Sequence, residues 1–130
     1  MAEPFGRELL IDLYGVSAEK CDSLEFNYRF SEELVRFLKM QVFCGPIAIH
    51  GNVDRDGNDV FPDKAGVTCI TALITSSLVI HTIRDKGYVS IDVYTCGELC
   101  QDGVEKFIRE KWEPAEYESQ YLERGTKYHN

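Results

Sequence analysis

A chain of 130 residues has the size of one domain with one core. Its 44% hydrophobic and 28% charged residues are those of a soluble globule, and no apolar run nears the roughly 20 residues that span a bilayer. Twenty-two Asp and Glu against 14 Lys and Arg leave a net charge of −8 without a basic cluster, which argues against nucleic acid or anionic lipid as a partner.

The opening MAEPFGRELL has no basic stretch followed by an apolar core, so no secretory signal is expected. The five cysteines, Cys21, Cys44, Cys69, Cys96 and Cys100, are odd in number, which suits free thiols in a reducing, cytoplasmic compartment. Cys96 and Cys100 form a lone pair, and His50, His81 and His129 lie far from them at no zinc-site spacing, so no metal is expected.

Arg7–Tyr14 reads as the first strand, with Leu9, Ile11 and Leu13 on one face and Leu10, Asp12 and Tyr14 on the other. Ser31 followed by Glu32 and Glu33 predicts a helix start, and Leu34, Phe37, Leu38 and Val42 then recur at helical spacing. Pro46–Val53 is a second strand. Asp54–Gly66 is a polar loop; Asp59 and Ala65 stand where a calcium loop needs Gly and Glu. Val67–Ile74 reads as a buried strand and Leu78–Thr82 as a shorter one. Gly87 supplies a turn before the alternating strand Tyr88–Thr95. Asp102–Trp112 carries Val104, Phe107 and Ile108 at helical spacing, and Tyr117–Leu122 is a last extended segment. This order predicts a single α+β domain over residues 1–130: a two-layer sandwich, with helices on one face of a mainly antiparallel sheet.

The stretch Gly66–Gly97 carries the chemistry. In order it holds Gly66-Val67-Thr68, Thr75-Ser76-Ser77, Ile80-His81-Thr82, Gly87-Tyr88, Asp92-Val93-Tyr94 and Thr95-Cys96-Gly97. In residue type and spacing this series resembles the core of the small bacterial and archaeal S-adenosylmethionine decarboxylases. Gly6-Arg7 with Leu13-Tyr14, and Glu123-Arg124-Gly125, are similar to that family's first and last strands.

The resemblance implies a proenzyme. The Ser76 hydroxyl would attack the Thr75 carbonyl and turn the peptide bond into an ester, which calls for a strained turn. If the strands are regular, Thr68 keeps a hydroxyl on the same side as Ser76. His81 would remove the α-proton of the esterified Ser76 and drive elimination. The chain restarting at position 76 would then carry a pyruvoyl group, whose carbonyl forms a Schiff base with a substrate amine. Cys96 matches the residue that returns a proton to the substrate carbon; an ordinary thiol keeps its proton at neutral pH. Asp12 matches an acid facing the site, Asp85 an acid that holds the ribose, and Ser77 lies beside the cut. The resemblance further implies a homodimer with sheets face to face, and a role in making spermidine and other polyamines.

Four positions depart from the pattern: Thr75 replaces Glu, Ser77 replaces His, Ile83 replaces an aromatic that stacks on adenine, and Arg84 replaces Pro. They keep open two alternatives: decarboxylation of arginine or ornithine, and a non-catalytic homologue acting as a binding partner.

Overall fold

The computed structural model describes residues 3–129. Among the described residues, six strands form one sheet: β1 (Gly6–Tyr14), β2 (Val42–His50), β3 (Val67–Leu73), β4 (Ser76–Ile83), β5 (Tyr88–Thr95) and β6 (Glu116–Arg124). Their order across it is β2-β3-β4-β5-β1-β6, and every neighbouring pair is antiparallel. Three helices, α1 (Ala18–Asp22), α2 (Leu24–Phe37) and α3 (Gln101–Trp112), complete an α+β two-layer sandwich.

The alternation of the strands decides which face the helices cover. Leu9, Ile11 and Leu13 of β1, Val67 and Cys69 of β3, Leu78 and Ile80 of β4, and Val89, Ile91 and Val93 of β5 are all buried on that face. The residues between them point away from it. On the helical side, α3 buries Val104, Ile108 and Trp112, and the Phe26 and Phe30 rings of α2 meet the Trp112 ring edge-on at 4.8 and 5.4 Å. Glu105 of α3 fastens the helix to β6 by accepting hydrogen bonds from Ser119 (2.7 Å) and Tyr117 (3.3 Å).

Three expectations are corrected. Ser31 is not an N-cap; it is buried mid-way along α2, where its hydroxyl donates to the Asn27 carbonyl at 2.9 Å. The cap is Ser23, whose hydroxyl accepts from the Phe26 N–H at 2.9 Å. A small side chain at 31 lets the helix lie close to β3, with Cys69 Sγ 3.4 Å from the Ser31 hydroxyl. Val42 belongs to β2 and pairs with Leu73, because the chain leaves the helix at Leu38 through Lys39 in the left-handed region (φ 57). β2 also starts four residues before Pro46 and ends at His50, with register shifts between Val42 and Ile47. Between β4 and β5 the chain makes a 3-10 turn, Arg84–Lys86, closed by Gly87 at φ 59.

Candidate active site

The hairpin joining β3 to β4 is as tight as a sheet permits. Leu73 pairs with Ser76, leaving Ile74 and Thr75 as the two turn residues. Thr75 has φ 52. A branched side chain in the left-handed region is a true outlier and costs about 1–2 kcal/mol. The Thr75 hydroxyl donates to the Ile74 carbonyl at 2.7 Å and lies 2.9 Å from Cys96 Sγ. Ser76, the next residue, donates its hydroxyl to Thr95 Oγ1 at 3.2 Å. Thus the end of β5 meets the β3–β4 turn, and Thr75, Ser76, Thr95 and the exposed Cys96 form one cluster.

A second cluster lies on the uncovered face. One ladder rung runs Glu118–Asp12–Ser90–His81–Thr68 across β6, β1, β5, β4 and β3. The Thr68 hydroxyl lies 3.0 Å from His81 Nδ1. Asp12 accepts a hydrogen bond from the Tyr88 hydroxyl at 2.7 Å, and Tyr14 donates to Glu118. Leu10, Asp12, Val79, His81, Ser90 and Asp92 line a shallow groove along this face. Asp92 has its pKa pushed up to about 7, first by burial and then by the adjoining Glu8 carboxylate. Glu8 is held low by its bond to Asp92 and by Arg124.

Within one chain the two clusters do not meet. Ser76 and His81 are five residues apart on β4, which in a strand is roughly 16 Å. Their parity also differs: His81 alternates with the buried Leu78, Ile80 and Thr82 and faces out, whereas Ser76 faces the helices with Leu73 and Thr95. The expectation that Thr68 and Ser76 share a side is therefore overturned. The two-residue turn pairs Leu73 with Ser76, so Ser76 takes the buried parity of Leu73, while Thr68 pairs with His81 on the open face. Ser77 is on the open face, beside Tyr94 and Ala72. Asp85 follows the far end of β4 and takes a hydrogen bond from Arg84 Nε at 3.0 Å; Arg84 also reaches Asp22 at 3.6 Å. In the sequence neither Thr95 nor the Glu8–Asp92 pair stands out with a role of its own. The signal for Thr95 was its place next to Cys96; the acid pair is visible only once β1 and β5 are registered.

The family model described as S-adenosylmethionine decarboxylase matches residues 7–125. An S-adenosylmethionine decarboxylase proenzyme of Persephonella marina is 30% identical over 132 aligned positions, covering 97% of this chain and 86% of that one. One of Archaeoglobus fulgidus is 30% identical over 121, covering 92% and 97%. The crystal structure of the adenosylmethionine decarboxylase of Aquifex aeolicus superposes with a TM-score of 0.75 at 26% identity, covering 95% of this chain and 93% of that one. The protein is thus of the carboxy-lyase class. The chain belongs to the S-adenosylmethionine decarboxylase family.

Proposed function

We propose that this chain is a proenzyme that cuts itself between Thr75 and Ser76 and then decarboxylates S-adenosylmethionine, supplying aminopropyl groups for polyamines such as spermidine. The observation that carries this reading is the turn: a strained Thr75 presents the carbonyl, and a serine with a directed hydroxyl follows it. Ser76 Oγ bonds to the Thr75 carbonyl carbon, the carbon–nitrogen bond breaks, and the hydroxyl proton ends on the Ser76 nitrogen. His81 then takes the α-proton of residue 76, elimination releases Thr75 as a carboxylate, and water replaces the nitrogen of the resulting dehydroalanine, which leaves as ammonia. The residues fit a pyruvoyl group at position 76, since residue 76 is next to the exposed Cys96 cluster. That group supplies a carbonyl that condenses with the substrate amine and accepts the electrons left by CO2. Cys96 holds the proton that returns to the substrate carbon. Ser77 binds substrate in this reading, and Asp12 and Asp85, which lie with His81 away from Ser76, bind it from the other chain of a homodimer.

The separation of Ser76 from His81 adds a condition. A chain's own His81 does not reach its Ser76, so each site needs the partner's His81 and the partner's Thr68. A homodimer would supply them at the β3–β4 turn, the end of the sheet where Ser76 lies beside the exposed Cys96. The open face suits such packing: Ile47, Ile49 and Ile70 are 52%, 51% and 46% exposed there, with Val79 and Ala72 beside them.

Intact-mass measurement tests the cut. The expected products are residues 1–75 and a pyruvoyl chain of residues 76–130, and a single uncut mass overturns the reading. Release of CO2 from labelled S-adenosylmethionine, set against arginine and ornithine, tests the substrate. Co-expression tests the shared site. His81→Ala chains should stay whole alone and be cut when mixed with Ser76→Ala chains, which bring an intact His81. If mixing restores no cutting, the shared site is wrong.

A further inference from the structure

We propose that Thr95 is a positioning residue for self-cleavage, the group that aims the Ser76 hydroxyl at the Thr75 carbonyl. The inference rests on the reading that Ser76 is the attacking residue.

Thr95 ends β5 and is 2% exposed. Its Oγ1 accepts two hydrogen bonds, from the Ser76 hydroxyl at 3.2 Å and from the Gly97 N–H at 2.9 Å. Two donors on one oxygen use both of its lone pairs. They also fix the Thr95 rotamer, which a branched side chain already restricts. A serine at a strand start has three staggered positions for its hydroxyl, and the bond to Thr95 selects one. In that position the Ser76 proton points at Thr95, leaving the oxygen lone pairs free for the neighbouring carbonyl carbon. Holding the nucleophile in one attack geometry removes part of the entropic barrier. The Gly97 bond ties the same oxygen to the turn that carries Cys96, whose thiol contacts the Thr75 hydroxyl. One buried oxygen therefore registers the β5 end against the scissile turn.

Atoms balance without net transfer to Thr95. The Ser76 oxygen joins the Thr75 carbonyl carbon, the amide bond breaks, and the proton finishes on nitrogen. After elimination that oxygen leaves with Thr75, so Thr95 has no hydroxyl left to hold. Its effect belongs to the cutting step.

The test is the rate at which newly synthesised chain is cut, followed by intact mass, for wild type and for Thr95→Val, Thr95→Ala and Thr95→Ser. Val keeps the shape and loses the acceptor, whereas Ser keeps the acceptor. Val and Ala should cut at least about tenfold more slowly, with Ser within about threefold of wild type. Melting temperatures are compared on a Ser76→Ala background, where no variant is cut. If Thr95→Val does not fold, the Ala and Ser pair decides. Cutting at the wild-type rate in Val or Ala, or equal slowing in Ser and Ala, overturns the role of Thr95. A wild-type chain that is never cut overturns instead the reading of Ser76.

Discussion

Threonine at φ 52 gives up what glycine there would keep, since its Cβ crowds the backbone in the left-handed region. The strain sits on the residue whose carbonyl the proposed cut would use. On a Ser76→Ala background, Thr75→Gly should raise stability by up to about 1 kcal/mol, read by urea unfolding; the entropy of glycine in the unfolded chain offsets part of the relief. A fall in stability would mean that the Thr75 hydroxyl bonds outweigh the strain. With Ser76 intact, Thr75→Gly should cut more slowly, because relief stabilises the uncut turn. Two further substitutions separate cutting from turnover. Ser76→Ala should abolish cleavage. Cys96→Ala should be cut yet turn over substrate more slowly, by about 10²–10⁴-fold for a lost proton donor. Full activity in Cys96→Ala would remove it from that role.

At the level of elements, the pairing of β3 with β4 sets the site. Gly66 enters β3 so close to β4 that a Cβ there would lie 1.9 Å from the Thr82 carbonyl oxygen. Gly66→Ala should push the strands apart and lower the melting temperature, and should also weaken the Thr68–His81 contact two residues further on. Trp112→Ala should cost about 3–5 kcal/mol by emptying the space where α3 meets α2, visible as a shifted urea midpoint. Much of this was legible from alternation alone. Leu9, Ile11 and Leu13 declared the buried face of β1, and Val104 and Ile108 that of α3. The start of α2 is hidden in the sequence because Ser31-Glu32-Glu33 mimics a cap, while the real one, Ser23, sits behind the short α1. Sheet order was not legible, because β1 lies between β5 and β6, which are far from it in sequence. The candidate residues stand out in the sequence as a set of residue types. Their division into two clusters does not, because parity changes at a turn whose length only the structure reveals.

At the scale of the whole molecule, Glu8 of β1, Asp92 of β5 and Arg124 of β6 draw three strands together on the open face, with His81 and Asp12 along the same groove. Folded, Asp92 keeps its proton up to about 7, whereas an unfolded aspartate releases it at about 4. The native state therefore binds the extra proton, and this contribution to stability is full below about 4 and is lost as pH rises through about 7. Glu8, held low, acts in the opposite sense and only at acid pH. Melting temperature should thus decline between about pH 5 and 8 in the wild type, and Asp92→Asn should flatten that decline; an unchanged slope would remove the acid pair as its cause. The strand order β2-β3-β4-β5-β1-β6 has a consequence of another kind. A break at the Thr75–Ser76 bond leaves β1, β2 and β3 on one fragment and β4, β5 and β6 on the other. β1 is then clasped between two strands that belong to the other piece, and β3 remains laddered to β4. The two fragments are interlocked rather than merely adjacent, so a severed molecule should migrate and melt as one body and come apart only when the sheet itself unfolds.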